Sequence, residues 1–251
     1  MIEIFILSLI QGIAEFLPIS SSSHLIIASD YLELEKNLSI DVSLHLGSFL
    51  AVIVYFYKDV LNFYKNKVLF FRIIISSIPV ILVGAILVET NLIERIRNIE
   101  TIAWTTLIFG ILLFVSDKFK IKKTIEKNFS FKSAIFIGFL QILALIPGVS
   151  RSGIAITTAR FLEFGRVDSA KISFLISIPI LGAVSVFGLY NIIFFNNQDF
   201  AKLNIFAIVS AFFFSLLTIK YFLKYLNRFS LKIFVYYRVL LGIILLTLAY
   251  L

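Results

Sequence analysis

The 251 residues include no cysteine, and proline (4), histidine (2), methionine (1) and tryptophan (1) are scarce, while charged residues make up only 15%. Without cysteine there are no disulfides, no thiolate nucleophile and no thiolate metal site, and thiols carry no information on redox compartment. The shortage of charge argues against an ordinary soluble domain, in which about a quarter of residues are charged. What fills the space is apolar: 60% hydrophobic residues, 28 of them phenylalanine, and a mean hydropathy of +1.01. The phenylalanines read as lipid-facing or packing material.

Charge-free apolar runs recur at Ile73–Val88, Thr101–Ser116, Ile172–Gln198, Leu203–Ile219 and Val239–Leu251. Several approach the roughly 20 residues a helix needs to cross a bilayer. They are continuous, without the two-residue alternation of a barrel strand, so the chain is expected to be an all-α integral membrane protein. The start of the chain has neither a basic segment nor a small-residue cleavage site, and is expected to be mature protein and not a signal peptide. The net charge of +8 is spread over inter-helix loops with no aromatic-interleaved patch, so no nucleic-acid partner is expected.

Loop charge gives a topology. Lys58–Arg72, Asp117–Lys132 and Lys220–Arg238 are rich in lysine and arginine and are expected on the cytoplasmic side. Asp30–Asp41, Glu89–Glu100 and Asn196–Lys202 are acidic or balanced and are expected outside. That alternation requires six crossings, at about 42–57, 73–88, 101–116, 172–195, 203–219 and 239–251. Two apolar stretches remain, residues 2–32 and 133–162, the first interrupted by Pro18 and a serine run, the second by Pro147 and Gly148. Loop orientations survive only if each enters and leaves on one side, as a re-entrant helix-loop-helix hairpin. The whole chain, 1–251, is expected to be a single polytopic membrane domain built as an inverted-topology repeat of halves at about 1–125 and 126–251. The match of Ser77-Ile78-Pro79 with Ser177-Ile178-Pro179 is read as part of that repeat.

Chemistry concentrates in the two interruptions. Gln11 and Glu15 lie four apart on one helix face, and Pro18 forces the chain out of helix nearby. Ser20 to Ser23 are suited to cap a second short helix through His24, whose free N–H groups would face the break. The other interruption, Pro147-Gly148-Val149-Ser150-Arg151-Ser152-Gly153, offers bendable glycines, hydroxyls and a guanidinium fork matched to phosphate or carboxylate. A carboxylate or guanidinium at membrane depth needs a partner. If the two tips meet, the site suits a phosphorylated lipid. The plainer readings are a structural Glu15–Arg151 ion pair and serines that bond only to neighbouring backbone. His45, in Asp41–Gly47, is read as pore-facing or helix-bridging.

The stretches Gln11-Gly12-Ile13-Ala14-Glu15-Phe16-Leu17-Pro18-Ile19-Ser20-Ser21-Ser22-Ser23-His24 and Pro147-Gly148-Val149-Ser150-Arg151-Ser152 resemble the two signatures of the bacterial undecaprenyl-diphosphate phosphatases, or bacitracin-resistance proteins. The resemblance covers the whole chain. It implies hydrolysis of undecaprenyl diphosphate to the monophosphate, recycling the lipid carrier for peptidoglycan synthesis. It also implies a divalent cation (Mg²⁺ or Ca²⁺), an inner-membrane location with a site open to the periplasmic side, and a fold that can dimerise. On this reading Glu15, Ser21, His24 and Arg151 are catalytic. Ser20, Gly148, Ser150, Arg151 and Ser152 bind the diphosphate, and Glu15 with Gln11 holds the metal. Ser21, His24 and water all stay open as nucleophile. Two departures stand out: Gln11 is neutral where the signature admits glutamate, leaving Glu15 as the single acid, and Ala155 stands where it has threonine. The rival class is a transporter or flippase for a phosphorylated polyprenyl lipid, because broken helices in inverted repeats are transporter architecture.

Overall fold

The computed structural model describes residues 1–32, 34, 37–90, 96–194 and 202–251. The described parts of the apolar runs form helices: α1 (Ile2–Ala14), α2 (Ser21–Tyr31), α3 (Leu38–Tyr55), α4 (Tyr57–Asn62), α5 (Lys67–Glu89), α6 (Ile99–Asp117), α7 (Ile125–Asn128), α8 (Phe131–Gln141), α9 (Arg151–Phe161), α10 (Arg166–Phe194), α11 (Lys202–Leu226) and α12 (Lys232–Tyr250). Among the described residues no strand forms beyond one isolated bridge, Lys123 with Phe164. Side-chain oxygens of Asn37, Asn66, Asn98 and Ser130 accept backbone N–H groups at the starts of α3, α5, α6 and α8. These polar caps fix where each apolar run turns helical.

Helices α3, α5, α6, α10, α11 and α12 are long and apolar enough to cross a bilayer. Their surfaces agree. Leu82, Val186, Phe213 and Leu240 are exposed, whereas Ser43, Ser48, Ser76, Ser77, Ser173, Ser177 and Ser215 are buried. In water that distribution would be inverted; in lipid, hydroxyls between helices hold the bundle together. The chain is a multi-pass membrane protein.

The crossings are longer than charge-free runs suggest. Helix α5 begins at Lys67, α10 at Arg166 and α12 at Lys232, several residues before the expected 73, 172 and 239, and α11 continues to Leu226. Thirteen residues from Val239 to Leu251 would rise only about 20 Å, short of the ~30 Å hydrocarbon layer, so the helix extends back across its charged residues. Arg238, expected in a cytoplasmic loop, is consequently inside a spanning helix and fully buried.

The basic loops do gather at one end of the molecule. Arg166 Nε reaches Asp117 Oδ1 at 2.6 Å, Leu231 N donates to Asp117 Oδ2 at 3.1 Å, and Lys171 Nζ lies 2.8 Å from Asp59 Oδ1. Buried Arg160 closes the same cluster on the carbonyls of Phe164, Asp117 and Phe119. The helix ends that should lie opposite meet elsewhere: Tyr250 donates to Glu100 Oε1 at 2.5 Å, and Asn204 donates to Ser39 and Ser43. Parts of the three acidic or balanced loops, including Glu33, Glu35, Lys36 and Asn196, lie outside the described residues.

Two short helix pairs are packed into this bundle. α1 lies on α2, α3 and α11, and α8 lies on α5 and α9. Both first arms cross a long helix at glycine. A Cβ on Gly12 would come within 2.9 Å of Ser215 N, and one on Gly138 within 2.7 Å of the Ser76 carbonyl. Pro79 and Pro179 lie inside α5 and α10, the second and the first long helix after their respective pairs. The Ser-Ile-Pro match therefore does not join equivalent elements.

Candidate active site

Pro18 lacks the N–H that would bond the Ala14 carbonyl, and α1 ends at Ala14. The chain turns through Glu15–Ile19 into Ser20, which precedes α2 with φ 75°. Ser20 takes the cap position without capping; its Oγ instead meets Ser23 Oγ at 2.9 Å and Ser22 Oγ at 3.3 Å. In the second break a 3₁₀ turn (Ile142–Leu145) leads to Pro147, Gly148 at φ 92° and Ser150 at φ 72°. Ser150 Oγ accepts the Gly153 N–H at 3.1 Å and caps α9. Gly148 is required twice over, by its left-handed φ and by Thr105 and the Ile102 carbonyl where a Cβ would stand.

The two breaks meet on one carboxylate. Glu15, 6% exposed, accepts Arg151 Nη2 on Oε1 at 2.8 Å, and on Oε2 it accepts Ser21 Oγ at 2.6 Å and Gln11 Nε2 at 3.2 Å. Gln11 Nε2 also lies 3.1 Å from His45 Nδ1, so His45 bridges α3 to the site. Ser152 Oγ donates to the Leu17 carbonyl at 2.7 Å, sewing the second break to the first. Of the residues singled out in the sequence, Gln11, Glu15, Ser21 and Arg151 thus form one cluster. Ser20, Gly148, Ser150 and Ser152 shape the turns around it. His24 stands at its edge. Its Nδ1 lies 2.6 Å from the Ser20 carbonyl and its Nε2 2.5 Å from the Tyr237 hydroxyl. Among the described residues no hydrogen bond joins His24 to Ser21. Ala155 is buried in the apolar core cluster.

This arrangement has three chemical capacities. A hydroxyl donating to a carboxylate at 2.6 Å is set up to lose its proton to that carboxylate as it attacks. A guanidinium with one nitrogen on Glu15 keeps further donors for an anion's oxygens. Metal capacity is narrower. Among the described residues no cluster of three or more His, Cys, Asp or Glu is suited to an ion. Gln11 Oε1, however, is buried without a hydrogen-bond partner beside Glu15. One carboxylate and one free amide oxygen fit a hard cation that takes its other ligands from phosphate and water.

Residues 4–244 match the family model described as bacitracin resistance protein BacA. The chain belongs to this family. Three curated relatives bear the name undecaprenyl-diphosphatase. That of Pelagibacter ubique (strain HTCC1062) is 50% identical, covering 99% of this chain and 98% of the relative. That of Jannaschia sp. (strain CCS1) is 38% identical, covering 98% of both. That of Saccharophagus degradans (strain 2-40) is 39% identical, covering 94% of this chain and 93% of the relative.

In this member of the bacitracin resistance protein family, α12 supplies site neighbours that the motifs do not contain. Arg238 donates from Nη1 to the carbonyls of Pro18 and Val149, both at 3.1 Å, from Nη2 to Gly148 at 2.8 Å and from Nε to Thr106 at 3.2 Å. Interrupted helices leave carbonyls without N–H partners, and this one guanidinium serves both breaks. Tyr237, one position earlier, stacks on His24 with ring centroids 5.6 Å apart and planes at 15°. The sequence does hold a signal for both: Val239–Leu251 is too short to cross, so the preceding tyrosine and arginine had to enter the bundle.

Proposed function

We propose that this chain hydrolyses undecaprenyl diphosphate to undecaprenyl phosphate and inorganic phosphate, returning the lipid carrier to peptidoglycan synthesis. The relatives' name supports the substrate. The observation that carries the chemistry is the shared carboxylate, with Ser21 on one oxygen and Arg151 on the other.

In the proposed reaction Ser21 Oγ attacks the terminal phosphorus while its proton passes to Glu15. The Oγ–P bond forms, the bond from phosphorus to the bridging oxygen breaks, and the electron pair leaves on the polyprenyl monophosphate. Water then attacks the seryl phosphate, Glu15 returns the proton to Oγ, and inorganic phosphate departs. Arg151 and the N–H groups at the start of α9 stabilise the charge on the phosphate oxygens. Ser150 and Ser152 keep Arg151 in place. Glu15 and Gln11 Oε1 would hold a divalent cation, Mg²⁺ or Ca²⁺, which when bound supplies Lewis-acid neutralisation of phosphate charge.

The same reading makes α1–α2 and α8–α9 two re-entrant hairpins of an inverted repeat with halves at about 1–125 and 126–251. Two parallels support it: a left-handed serine opens each returning arm, Ser20 and Ser150, and each entering arm crosses a helix of the other half at glycine. On this reading the basic end faces the cytoplasm and the protein resides in the bacterial inner membrane. The site opens to the periplasmic side, and the chain can pair as a homodimer.

Purified protein should release phosphate from a long-chain isoprenyl diphosphate, and Arg151→Ala and Glu15→Gln should abolish release. Folded protein that releases none but scrambles lipid in liposomes would establish the transporter reading instead. Rapid quench with labelled substrate should leave acid-stable label on Ser21; acid-labile label on His24, or no label, would replace this mechanism.

A further inference from the structure

Among the described residues the Tyr237 hydroxyl has one hydrogen-bond partner, His24 Nε2 at 2.5 Å, and its ring lies nearly parallel to the imidazole. The other ring nitrogen fixes the proton arrangement. Nδ1 lies 2.6 Å from the Ser20 carbonyl oxygen, which can only accept, so Nδ1 carries hydrogen. In the neutral ring Nε2 then holds the lone pair, and the phenol must donate to it. Both nitrogens are engaged. Ser21 has its acceptor elsewhere, on Glu15 Oε2.

We infer that Tyr237 is a positioning residue for the phosphatase reaction: by stacking and by donating to Nε2 it holds His24 as the Nδ1–H tautomer at the edge of the site. His24 is then a fixed ring that ties the Ser20 carbonyl, next to Ser21, to α12, and not the attacking nitrogen. A nucleophilic Nε2 would first have to break its bond to the phenol and turn out of the stack. This inference rests on the phosphatase reading for its kinetic arm, but the arrangement itself can be observed without turnover.

The decisive variant is Tyr237→Phe, which keeps the ring and removes the hydroxyl. Tyr237 is 41% exposed, so the change opens no core cavity. The chain has only two histidines, and ¹⁵N-histidine labelling therefore gives two imidazole spin systems. In the wild-type protein the His24 system should show hydrogen on Nδ1 and a hydrogen-bonded Nε2. In Tyr237→Phe the Nε2 resonance should move downfield while that of His45 stays. A wild-type Nε2–H tautomer, or no movement in the variant, overturns the inference whether or not the protein is a phosphatase. Kinetically, loss of this hydrogen bond should lower kcat about tenfold with KM little changed. In a His24→Ala background Tyr237→Phe should add nothing. An undiminished kcat in the single variant, or an equal loss in both backgrounds, overturns it as well.

Discussion

Counted back from their left-handed serines, the two breaks have glutamine at the same offset, Gln11 nine residues before Ser20 and Gln141 nine before Ser150. Both glutamines are buried, and among the described residues neither Oε1 has a hydrogen-bond partner. Five residues before the serine the breaks diverge. The first has Glu15, the second Leu145, which packs against the apolar core. They diverge again just after it, with Ser21 in one and Arg151 in the other. One local design is thus used twice, with the acid and hydroxyl on one copy and the cation on the other. Neither break holds the proposed reactive set alone, and the 2.8 Å contact between Glu15 and Arg151 joins them.

The largest expected effect separates chemistry from support at that contact. Ser21→Ala should abolish phosphate release with little change in unfolding. Arg151→Met should abolish release and also cost about 3–5 kcal/mol, because Glu15 remains buried without its cation. Adding Glu15→Gln to Arg151→Met should restore stability without activity, as read by thermal unfolding in detergent. Recovery of activity would break the division of labour.

Next in size is the glutamine pair. Gln11→Leu should lower release about tenfold or more, since it removes a donor to Glu15 and the free amide oxygen. Gln141→Leu should leave kcat unchanged and cost about 1 kcal/mol, because among the described residues its amide bonds the Ser76 carbonyl alone, at 3.3 Å. Equal kinetic losses would mean that the copies share more chemistry than Glu15 and Leu145 suggest.

A smaller contrast lies in the serines themselves. Glycine relieves about 1 kcal/mol of left-handed strain at either position. Ser20→Gly should show most of that gain, as Ser20 Oγ caps no backbone group, whereas Ser150→Gly should gain less by losing its bond to Gly153 N. The smallest effect lies outside both breaks, at half-buried Glu163. Its carboxyl is held below the usual glutamate range by the 2.5 Å hydrogen bond from Lys122. Because the folded value is the lower one, the pair contributes at neutral pH and is lost as pH falls through the ordinary glutamate value towards that lower one. Glu163→Gln should remove this acid-side slope from a stability–pH profile and leave turnover unaffected.

Much of this architecture could be read from residue types. Five charge-free apolar runs and the alternation of loop charge imply six crossings, and two stretches broken by proline beside serine mark the site, because at membrane depth polar residues need a reason. Glu15, Ser21 and Arg151 were identifiable for that cause. The loop-charge rule hides Arg238, because it counts any arginine near a helix end as cytoplasmic; the shortness of Val239–Leu251 brings it into the bundle but not to the site, since the carbonyls it serves are 220 and about 90 residues away in sequence. The Ser20 side chain also departs from its expected capping role, since serine type cannot say which of several nearby oxygens and N–H groups it will choose. The equivalence of Pro79 and Pro179 failed because a three-residue match carries no information on element order.

The position of Arg238 also governs when the site can come into being. Among the described residues, the carbonyls of Pro18, Gly148 and Val149 receive their side-chain donor from Arg238 of α12. During synthesis both breaks emerge before α12, yet they stay without that donor until α12 inserts. A chain shortened by this one helix, however complete its two motifs, is expected to accumulate as an inactive, protease-sensitive intermediate.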